Sequence, residues 1–227
     1  MQGNEEIMEF ADRMQAGRLL ATKLDEYANR SDVVVLALPR GGVPVGYEVA
    51  RALNAPLDVF LVRKLGVPGH EEFAMGAIAS GGVRVMNKYV VQCLGISDRV
   101  IDEVAAKEQR ELERRERVYR GSEKPLDLAG RIVIVVDDGL ATGSTMTAAV
   151  EAIERMKPSE IVVAVPVASH EACAFFNALV SSTCVCFMSP KPFEAVGRWY
   201  RHFPQTTDSE VCYLLKHAKQ PPRKHAA

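Results

Sequence analysis

Short apolar runs recur along the chain and alternate with segments whose apolar residues follow helical spacing. The run at residues 131–136 is unbroken and rich in β-branched residues, which is typical of a strand covered on both faces of a parallel sheet, and five of the apolar runs are predicted to be strands. They are residues 33–38, 57–63, 131–136 and 161–167 and a run through Phe187. The pattern predicts an α/β fold with about five mainly parallel strands flanked by helices.

The same pattern describes the two ends of the chain. Residues 7–27 place apolar side chains at helical spacing, which predicts a long amphipathic helix before the first strand. Residues 219–227 are polar and broken by prolines, so we expect this tail to be disordered. No internal repeat or linker separates the rest, and residues 1–218 are expected to form a single domain.

An insertion, residues 63–125, separates the second and third strands. Within it, residues 75–79 and 83–87 are predicted to pair as a hairpin, and residues 98–120 to form a long helix that Ser97 caps. This helix is rich in arginine and glutamate. Its charges form either a solvated face or a set of arginines that reach a diphosphate, and the sequence does not select between them.

Composition narrows the classes of function. The chain has 227 residues, of which 48% are hydrophobic, a formal net charge of -1 and a pI of about 6.5. Nothing in this overall charge favours binding to nucleic acid or to an anionic membrane. No apolar run approaches the roughly 20 residues of a membrane span, and the first residues are polar and acidic. We therefore expect a cytoplasmic protein without a membrane partner.

The five cysteines do not predict a disulfide framework, because the set is odd and scattered and no export signal accompanies it. Cys184 and Cys186 lie two residues apart, which places both on one face of a strand. No second pair of ligands at a metal-binding spacing is visible, so packing in the core is favoured over a metal site.

The third apolar run leads into the most informative segment of the chain, residues 133–145, which read VIVVDDGLATGST. A helix is predicted from Ser144 onward. The turn before it offers free backbone N–H groups and the positive end of a helix dipole. Thr142, Ser144 and Thr145 add hydroxyl donors. Together these groups suit a phosphate monoester.

Asp137 and Asp138 precede this turn and need a different role. Two adjacent carboxylates repel a bare phosphate, but they accept hydrogen bonds from the vicinal hydroxyls of a sugar or act through a hydrated divalent cation. The segment therefore indicates a ligand that carries both a phosphate and a ribose. An ordinary strand-to-helix turn with capping residues is the alternative.

A second turn, Pro39-Arg40-Gly41-Gly42, follows the first strand as the acidic segment follows the third. Parallel strands end at the same edge of a sheet, so both turns are expected to open there. Glycines let a backbone approach an oxyanion closely, and Arg40 supplies a permanent charge with forked donors. Alternatively, the glycines only begin a helix.

The segment around Asp137 and Asp138 resembles the signature of the type I phosphoribosyltransferases, whose ligand is 5-phosphoribosyl 1-pyrophosphate (PRPP) with Mg²⁺. The resemblance implies the type I fold, with a mobile insertion and a small C-terminal hood. It implies that the two acids hold the ribose and Mg²⁺, and that Arg40, Gly41 and Gly42 bind pyrophosphate, with a cis peptide bond beside the arginine. The residues implied to anchor the 5-phosphate are Ala141, Thr142, Gly143, Ser144 and Thr145.

Residues 63–72 resemble the corresponding stretch of the adenine enzymes of this family. The sequence predicts a mobile loop that leaves the second strand at this point. Arg63 and Lys64 are expected to contact the diphosphate and to act in catalysis with Arg40 and the two acids. His70 is expected to be a polar loop residue, because no metal-binding spacing accompanies it.

Residues 189–207 follow the last strand and correspond to the variable hood that covers the acceptor base in the resembling enzymes. Phe193, Trp199 and Tyr200 are candidates for stacking on a planar heterocycle. Packing of these aromatic rings onto the core is an equal alternative.

The resemblance implies a homodimeric enzyme of nucleotide synthesis or salvage, which transfers the 5-phosphoribosyl group of PRPP to a nitrogenous base and releases pyrophosphate. Ala141 stands where the hypoxanthine and guanine enzymes have an aspartate, so the acceptor stays unassigned. Two other functions are open. One is a PRPP-sensing regulator that binds nucleic acid, which the near-neutral charge disfavours, and the other is a hydrolase of a phosphorylated, nucleotide-like substrate.

Overall fold

The computed structural model describes residues 9–179 and 182–218. Its strands are β1 (Val33–Ala37), β2 (Leu57–Val59), β3 (Val62–Val67), β4 (His70–Ala79), β5 (Val83–Met86), β6 (Ile132–Val136), β7 (Glu160–Val167) and β8 (Ser182–Met188). Its α-helices are α1 (Arg13–Ala21), α2 (Gly42–Leu53), α3 (Lys88–Cys93), α4 (Asp98–Arg120), α5 (Ser144–Glu154), α6 (His170–Ala178) and α7 (Asp208–Ala218). The predicted tail, residues 219–227, lies outside the described residues, as does Ile7.

A five-stranded parallel sheet forms the centre of the fold, in the order β2-β1-β6-β7-β8. Alternate residues of β1 belong to two different hydrophobic clusters, with Val33 and Val35 on one face and Val34 and Leu36 on the other. Helices cover both faces, which is why the strands read as continuous apolar runs rather than as alternating ones. The predicted parallel α/β fold is confirmed.

A second, antiparallel sheet has the order β3-β4-β5. The predicted hairpin is present, since Gly76 of β4 pairs with Met86 and Ala79 pairs with Val83 of β5. The long helix α4 has the predicted bounds. Ser97 occupies its N-cap position, although its side chain makes no capping hydrogen bond.

Two predictions about residues 57–72, which lead from β2 into the antiparallel sheet, are wrong. Residues 57–63 do not form one strand, because β2 ends at Val59 and the chain passes through Phe60 and Leu61 into the other sheet. Both residues are buried, so the apolar run continues through the change of sheet and gives no sign of it.

Residues 63–72, predicted as a loop, also belong to that second sheet. They form most of β3 and the first part of β4, which pair from Val62 with Ala79 to Val67 with His70. Gly69 turns the chain with a φ of 80°. The first residues of β4 are exposed, so main-chain pairing rather than burial defines this part of the hairpin, and a hydrophobic pattern cannot reveal it.

The predicted helix over residues 7–27 is also shorter than expected. Helix α1 begins at Arg13, because the carboxylate of Asp12 caps it by accepting the N–H of Gln15 at 2.7 Å. It ends at Ala21, and a short 3₁₀ turn follows over Asp25–Tyr27. Phe10, which the helical spacing includes, instead forms a parallel bridge with Tyr200.

The five cysteines are free thiols. Cys184 and Cys186 on β8 both pack against the hydrophobic cluster that contains Cys173 of α6, and the Sγ atoms of Cys173 and Cys186 are 3.1 Å apart. Among the described residues, no helix combines the length and the apolar character needed to cross a bilayer.

Candidate functional site

The two glycine-bearing turns lie side by side at one edge of the parallel sheet. Strands β1 and β6 are neighbours, with Ala37 opposite Val136, and the N–H of Leu38 donates to the carbonyl oxygen of Val136 at 2.8 Å. The structure therefore brings residues 39–42 next to Asp137 and those that follow it. This arrangement is the one that the parallel order of the strands predicts.

The two turns are in van der Waals contact through glycine. A Cβ atom at Gly41 would lie 2.0 Å from Oδ2 of Asp138, and one at Gly42 would lie 2.6 Å from the carbonyl oxygen of Val136. No other residue type fits either position without a shift of the backbone or of the acid. The peptide bond between Pro39 and Arg40 is cis, as the family resemblance implies.

Asp137 and Asp138 are partly buried carboxylates, and Arg13 pairs with the second of them. Burial and the charge of Asp138 raise the pKa of Asp137 well above its usual range. Burial also raises the pKa of Asp138, while the hydrogen bond and charge of Arg13 oppose that rise. A cation bound beside the pair would lower both pKa values, so the site favours a positively charged occupant.

Mg²⁺ fits this donor set in one specific way. Among residues 9–179 and 182–218, no group of three or more His, Cys, Asp or Glu side chains could hold a metal ion alone. Mg²⁺, however, keeps several waters and binds proteins through one or two carboxylates together with phosphate oxygens of the substrate. Asp137 and Asp138 could therefore hold a Mg²⁺ ion that arrives with a phosphorylated ligand.

The turn before α5 presents its hydroxyls to solvent. Thr142, Ser144 and Thr145 are exposed, whereas Gly143 is buried with a φ of 75°. The Oγ atoms of Thr142 and Ser144 are 3.3 Å apart. Because the turn also begins a helix of eleven residues, its N–H groups and its hydroxyls face the same space, as a phosphate site requires.

This turn is held from behind by the next β–α unit. The hydroxyl of Ser169 donates to the carbonyl oxygen of Ala141 at 2.9 Å, and the N–H of Leu140 donates to the carbonyl oxygen of Val167 at 2.9 Å. The ring of Phe176 closes the space behind Gly143, where a Cβ would lie 3.1 Å from it. These contacts support the turn from behind.

Arg40 lies beside the last helix of the chain. Its Nη1 is 4.0 Å from Oδ1 of Asp208, the first residue of α7, and its side chain is about one-third exposed. Asp208 also accepts the hydroxyl of Tyr119 at 2.7 Å. Burial and this hydrogen bond raise the pKa of Tyr119 to about 12.

Arg63 and Lys64, which the sequence groups together, face opposite sides of β3, as consecutive residues of a strand do. Arg63 is held by α4, where its Nε donates to Oε2 of Glu108 at 2.8 Å. Lys64 is exposed and pairs loosely with Glu72 at 3.2 Å. Of the two, only Lys64 lines the space in front of the 142–145 turn.

A cavity of about 740 Å³ separates the antiparallel sheet from the start of α5. Its polar lining includes Lys64, Lys88 and the hydroxyls of Thr142, Ser144 and Thr145. The exposed ring of Phe175 closes one side. The hydroxyl turn therefore opens toward a space that is large enough for a nucleotide-sized ligand.

The three aromatic residues expected to bind a base differ in their surroundings. Phe193 and Trp199 are partly buried against the cluster formed by Phe10 and its neighbours. Tyr200 is buried, and its hydroxyl donates to the carbonyl oxygen of Asp138 at 2.5 Å. Burial raises the pKa of Tyr200. Of the three, Tyr200 alone contacts the acidic pair, and it does so through its hydroxyl rather than through its ring.

The sequence did not point to the N-terminal segment as part of this site. The N–H of Phe10 donates to the carbonyl oxygen of Trp199 at 2.8 Å, and its own carbonyl oxygen accepts the N–H of Arg201 at 2.8 Å. Arg13 donates from Nε to Oδ2 of Asp138 at 2.8 Å. No local pattern marks these residues, because their partners lie near the other end of the chain.

Two Mycobacterium tuberculosis proteins named as candidate phosphoribosyl transferases, MT0597 and Rv0571c, are similar in sequence. Each is 46% identical over 209 residues, which are 92% of this chain and 47% of the longer protein. The chain thus spans about half the length of these relatives.

Solved structures agree with this similarity. The crystal structure of TT1426 from Thermus thermophilus superposes with a TM-score of 0.79 at 41% identity, covering 92% of this chain and 99% of that one. A protein from Neisseria gonorrhoeae with bound ppGpp superposes with a TM-score of 0.50 at 14% identity, over 91% of this chain and 93% of that one, which shows a shared fold alone.

The family model of the phosphoribosyl transferase domain matches residues 4–181. This match includes both glycine-bearing turns and the acidic pair, and the parallel sheet with its hairpin insertion and hood is the architecture that the resemblance implies. The chain therefore belongs to the phosphoribosyltransferase family and has its type I fold.

Proposed function

We propose that this chain transfers the 5-phosphoribosyl group of PRPP to a nitrogen atom of an acceptor base and releases pyrophosphate. The observation that carries the proposal is the convergence of three groups at one edge of the sheet. These are the acidic pair, the close glycine turn at Gly41 and the exposed hydroxyl turn before α5. Taken from Gly41 through the adjacent acidic pair to the hydroxyl turn, these groups match the order of pyrophosphate, ribose and 5-phosphate in PRPP.

In this proposal the 5-phosphate binds residues 141–145. The exposed hydroxyls of Thr142, Ser144 and Thr145 and the first N–H groups of α5 donate to its oxygens. Ala141 and Gly143 contribute backbone alone, and the buried Gly143 lets the chain turn closely around the phosphate.

The pyrophosphate binds residues 40–42, where the absence of side chains on Gly41 and Gly42 allows a close approach of the backbone. Arg40 and Lys64 supply positive charge from two sides, and we assign Arg63 a smaller part because Glu108 already pairs with it. When bound, Mg²⁺ would neutralise charge on the departing pyrophosphate, with Asp137 and Asp138 as its protein ligands or as acceptors of its water.

The chemistry asked of the protein is positioning and charge. Breaking the bond between ribose and pyrophosphate develops positive charge on the ribose ring, which the two carboxylates favour, while Arg40 and Lys64 favour the negative charge that leaves. No covalent intermediate is needed. Asp137 and Asp138 also accept hydrogen bonds from the ribose hydroxyls and so fix the ring that is attacked.

The acceptor is proposed to lie under the hood, against Phe193 or Trp199, because the ring of Tyr200 is buried against Phe10 and Phe203. The remaining expectations from the family resemblance are proposals of the same kind. They are a role in nucleotide salvage in the cytoplasm, a single domain over residues 1–218 and a homodimer. Sedimentation of the purified chain would test the homodimer.

The test is pyrophosphate release from Mg²⁺–PRPP across a panel of purine and pyrimidine bases, with a no-base lane. We expect release with one base or a small group of bases, and none from the variant that carries Asp137→Asn with Asp138→Asn. Asp32→Asn is the matched control, because this acid pairs with Arg30 before β1, at the opposite edge of the sheet.

The other outcomes would indicate a different function or refute the assignment of the acidic pair. Release without a base would indicate a hydrolase. Calorimetric binding of Mg²⁺–PRPP with no release in any lane would indicate a sensor, and a salt-dependent shift with nucleic acid would support that role. Unchanged PRPP binding in the double variant would refute the assignment of the acidic pair.

A further inference from the structure

Arg13, the first residue of α1, is a buried cation in contact with both the acidic pair and the hood. Only 9% of the residue is exposed. Its Nε donates to Oδ2 of Asp138 at 2.8 Å, and its Nη1 donates to the carbonyl oxygen of Pro204 at 2.7 Å. The guanidinium carbon lies 3.7 Å from the centre of the Phe203 ring. One side chain therefore joins the second acid to the hood.

The local backbone explains how Arg13 reaches this position. Asp12 caps α1 and so sets the residue at which the helix begins. Immediately before it, Phe10 is paired with the hood at Tyr200, and the N–H of His202 donates to the carbonyl oxygen of Ala11 at 3.1 Å. The start of α1 is thus fixed against the hood, and its first side chain extends to the end of β6.

The carboxylate of Asp138 is enclosed on two sides. Its Oδ2 atom lies between Arg13 and Gly41, where an added Cβ would be 2.0 Å away. Within residues 9–179 and 182–218, no side chain donates a hydrogen bond to its Oδ1 atom. The hydrogen bond from Arg13 and the backbone of Gly41 therefore hold the carboxylate in one orientation, with Oδ1 open to a ligand. Loss of Arg13 would leave Asp138 as an unpaired buried charge, which is strongly unfavourable.

We propose that Arg13 is a positioning residue for the ribose end of the site. It holds Asp138 so that Oδ1 accepts hydrogen bonds from the ribose hydroxyls, and it ties this acid to the hood that would cover the acceptor. For the identity of the ligand, the inference rests on the proposed phosphoribosyl transfer. The opposite role is competition, in which Arg13 must leave Asp138 before a ribose can bind.

Titration calorimetry of Arg13→Gln separates these two roles. Positioning predicts that Mg²⁺–PRPP binds about tenfold more weakly, the size of a lost charged hydrogen bond. Mg²⁺–pyrophosphate, which lacks the ribose, should keep its affinity within about twofold. Unchanged or tighter binding of Mg²⁺–PRPP would overturn the proposal, and so would an equal loss for both ligands.

Arg18→Gln is the matched control on the same helix. Arg18 pairs with buried Glu48, which keeps a second partner in Arg51, so both affinities should be unchanged. Arg13→Lys keeps the charge but not the forked donors that reach Asp138 and Pro204 together. Its affinity for Mg²⁺–PRPP should lie between those of wild type and Arg13→Gln, whereas a purely structural role would lower both ligand affinities with the melting temperature.

Crystal structures of Arg13→Gln and Arg18→Gln without ligand separate this inference from the proposed function. In the first, we expect the carboxylate of Asp138 to move away from Gly41, and in the second to stay. An unmoved carboxylate in Arg13→Gln would overturn the positioning role whatever the protein transfers. A carboxylate that moves as expected, in a protein that does not bind Mg²⁺–PRPP, would refute the proposed function alone.

Discussion

The phosphate side and the hood side of the site are built from different materials. On the phosphate side, residues 39–42 and 137–145 present backbone groups, short hydroxyls and carboxylates at the ends of neighbouring strands. On the hood side, residues 189–207 meet the segment that starts at Phe10 through large rings and one buried arginine. The phosphate side requires glycines, because a Cβ atom would block the close approach of its two turns. The hood side requires large side chains that fill the space between the hood and α1.

This difference predicts how each side responds to substitution. A surface made of closely approaching backbone tolerates no added atom, because neither strand end can move without the sheet. A surface made of packed side chains relaxes in part when one is changed, so its losses are graded. Substitutions on the phosphate side should therefore have the largest effects on ligand binding, and those on the hood side smaller ones.

Gly41→Ala should have the largest effect on ligand binding. Its φ of -61° is ordinary for alanine, yet the new Cβ would lie 2.0 Å from Oδ2 of Asp138. The acid or the turn must therefore move, and we expect the affinity for Mg²⁺–PRPP to fall at least about 100-fold. Titration calorimetry measures the loss.

The matched control for Gly41→Ala is Gly130→Ala. Gly130 has a φ of 69°, where alanine is strained, but nothing lies within 4 Å of its added Cβ. It precedes β6 at the edge opposite the site, so the variant should lose stability and keep its affinity. Binding by Gly41→Ala at the wild-type level would show that the two turns are less rigid than the contact implies.

Thr145→Val should weaken binding by about tenfold, because one hydroxyl donor to the 5-phosphate is lost while the shape is kept. Inhibition by ribose 5-phosphate, which carries that group without pyrophosphate, is the more specific measurement. Thr147→Val is the control, since that hydroxyl donates to the carbonyl oxygen of Gly143 inside the helix. Equal losses in both variants would contradict a direct phosphate contact by Thr145.

Tyr200→Phe should affect stability more than ligand affinity. The change leaves the ring in place but removes the hydrogen bond to the carbonyl oxygen of Asp138. We expect the melting temperature to fall by roughly 2–4 °C, the effect of about one buried hydrogen bond in a chain of this size. Tyr213→Phe, at a side chain that is 60% exposed, should leave the melting temperature unchanged. A loss of PRPP affinity as large as in Gly41→Ala would remove the contrast between the two sides.

The smallest effect concerns the pH dependence of stability. Because burial and Asp138 raise the pKa of Asp137, the folded state binds this proton more tightly than the unfolded state. The contribution of protonated Asp137 to the free energy of unfolding is therefore fully present below the ordinary pKa of aspartate, and it is lost as pH rises through the raised pKa. Asp137→Asn should increase the urea midpoint of unfolding at about pH 7.5 relative to wild type, and less so at about pH 4.5.

Asp32→Asn gives the opposite sign in the same experiment. The hydrogen bond from Arg30 lowers the pKa of Asp32, so any stability from this exposed acid is present above its ordinary pKa and lost in acid. Its replacement should not raise the midpoint at the higher pH. A gain of equal size in both variants would mean that the site acids carry no special electrostatic cost.

The sequence predicted the placement of the two glycine-bearing turns well because the signals for them are local. The parallel sheet, the turn at Pro39 and the turn at Asp137 each follow from a continuous apolar run and the residues that end it. The order of the strands then brings the two turns together. Short-range patterns are sufficient wherever the geometry of the sheet supplies the long-range contact.

The hood side and the insertion could not be predicted in the same way. Arg13 and Asp138 are 125 residues apart, and neither periodicity nor composition records such a pair. Residues 59–62 are all apolar while the chain changes sheets, and the exposed start of β4 is set by main-chain pairing. Lys64 and Arg63 looked equivalent as neighbouring cations, and the alternation of the strand separates them.

The edge of the parallel sheet has a practical consequence for anyone dissecting this chain. The family match stops at residue 181, whereas β8 begins at Ser182 and covers β7 from Ile161 to Val167. A fragment cut at that boundary would carry every signature residue and yet expose a long apolar edge strand, which invites aggregation. It would also lack the residues of the hood that pair with Phe10, and the carbonyl oxygen of Pro204 that accepts from Arg13. The segment by which the family is recognised is thus smaller than the folded unit.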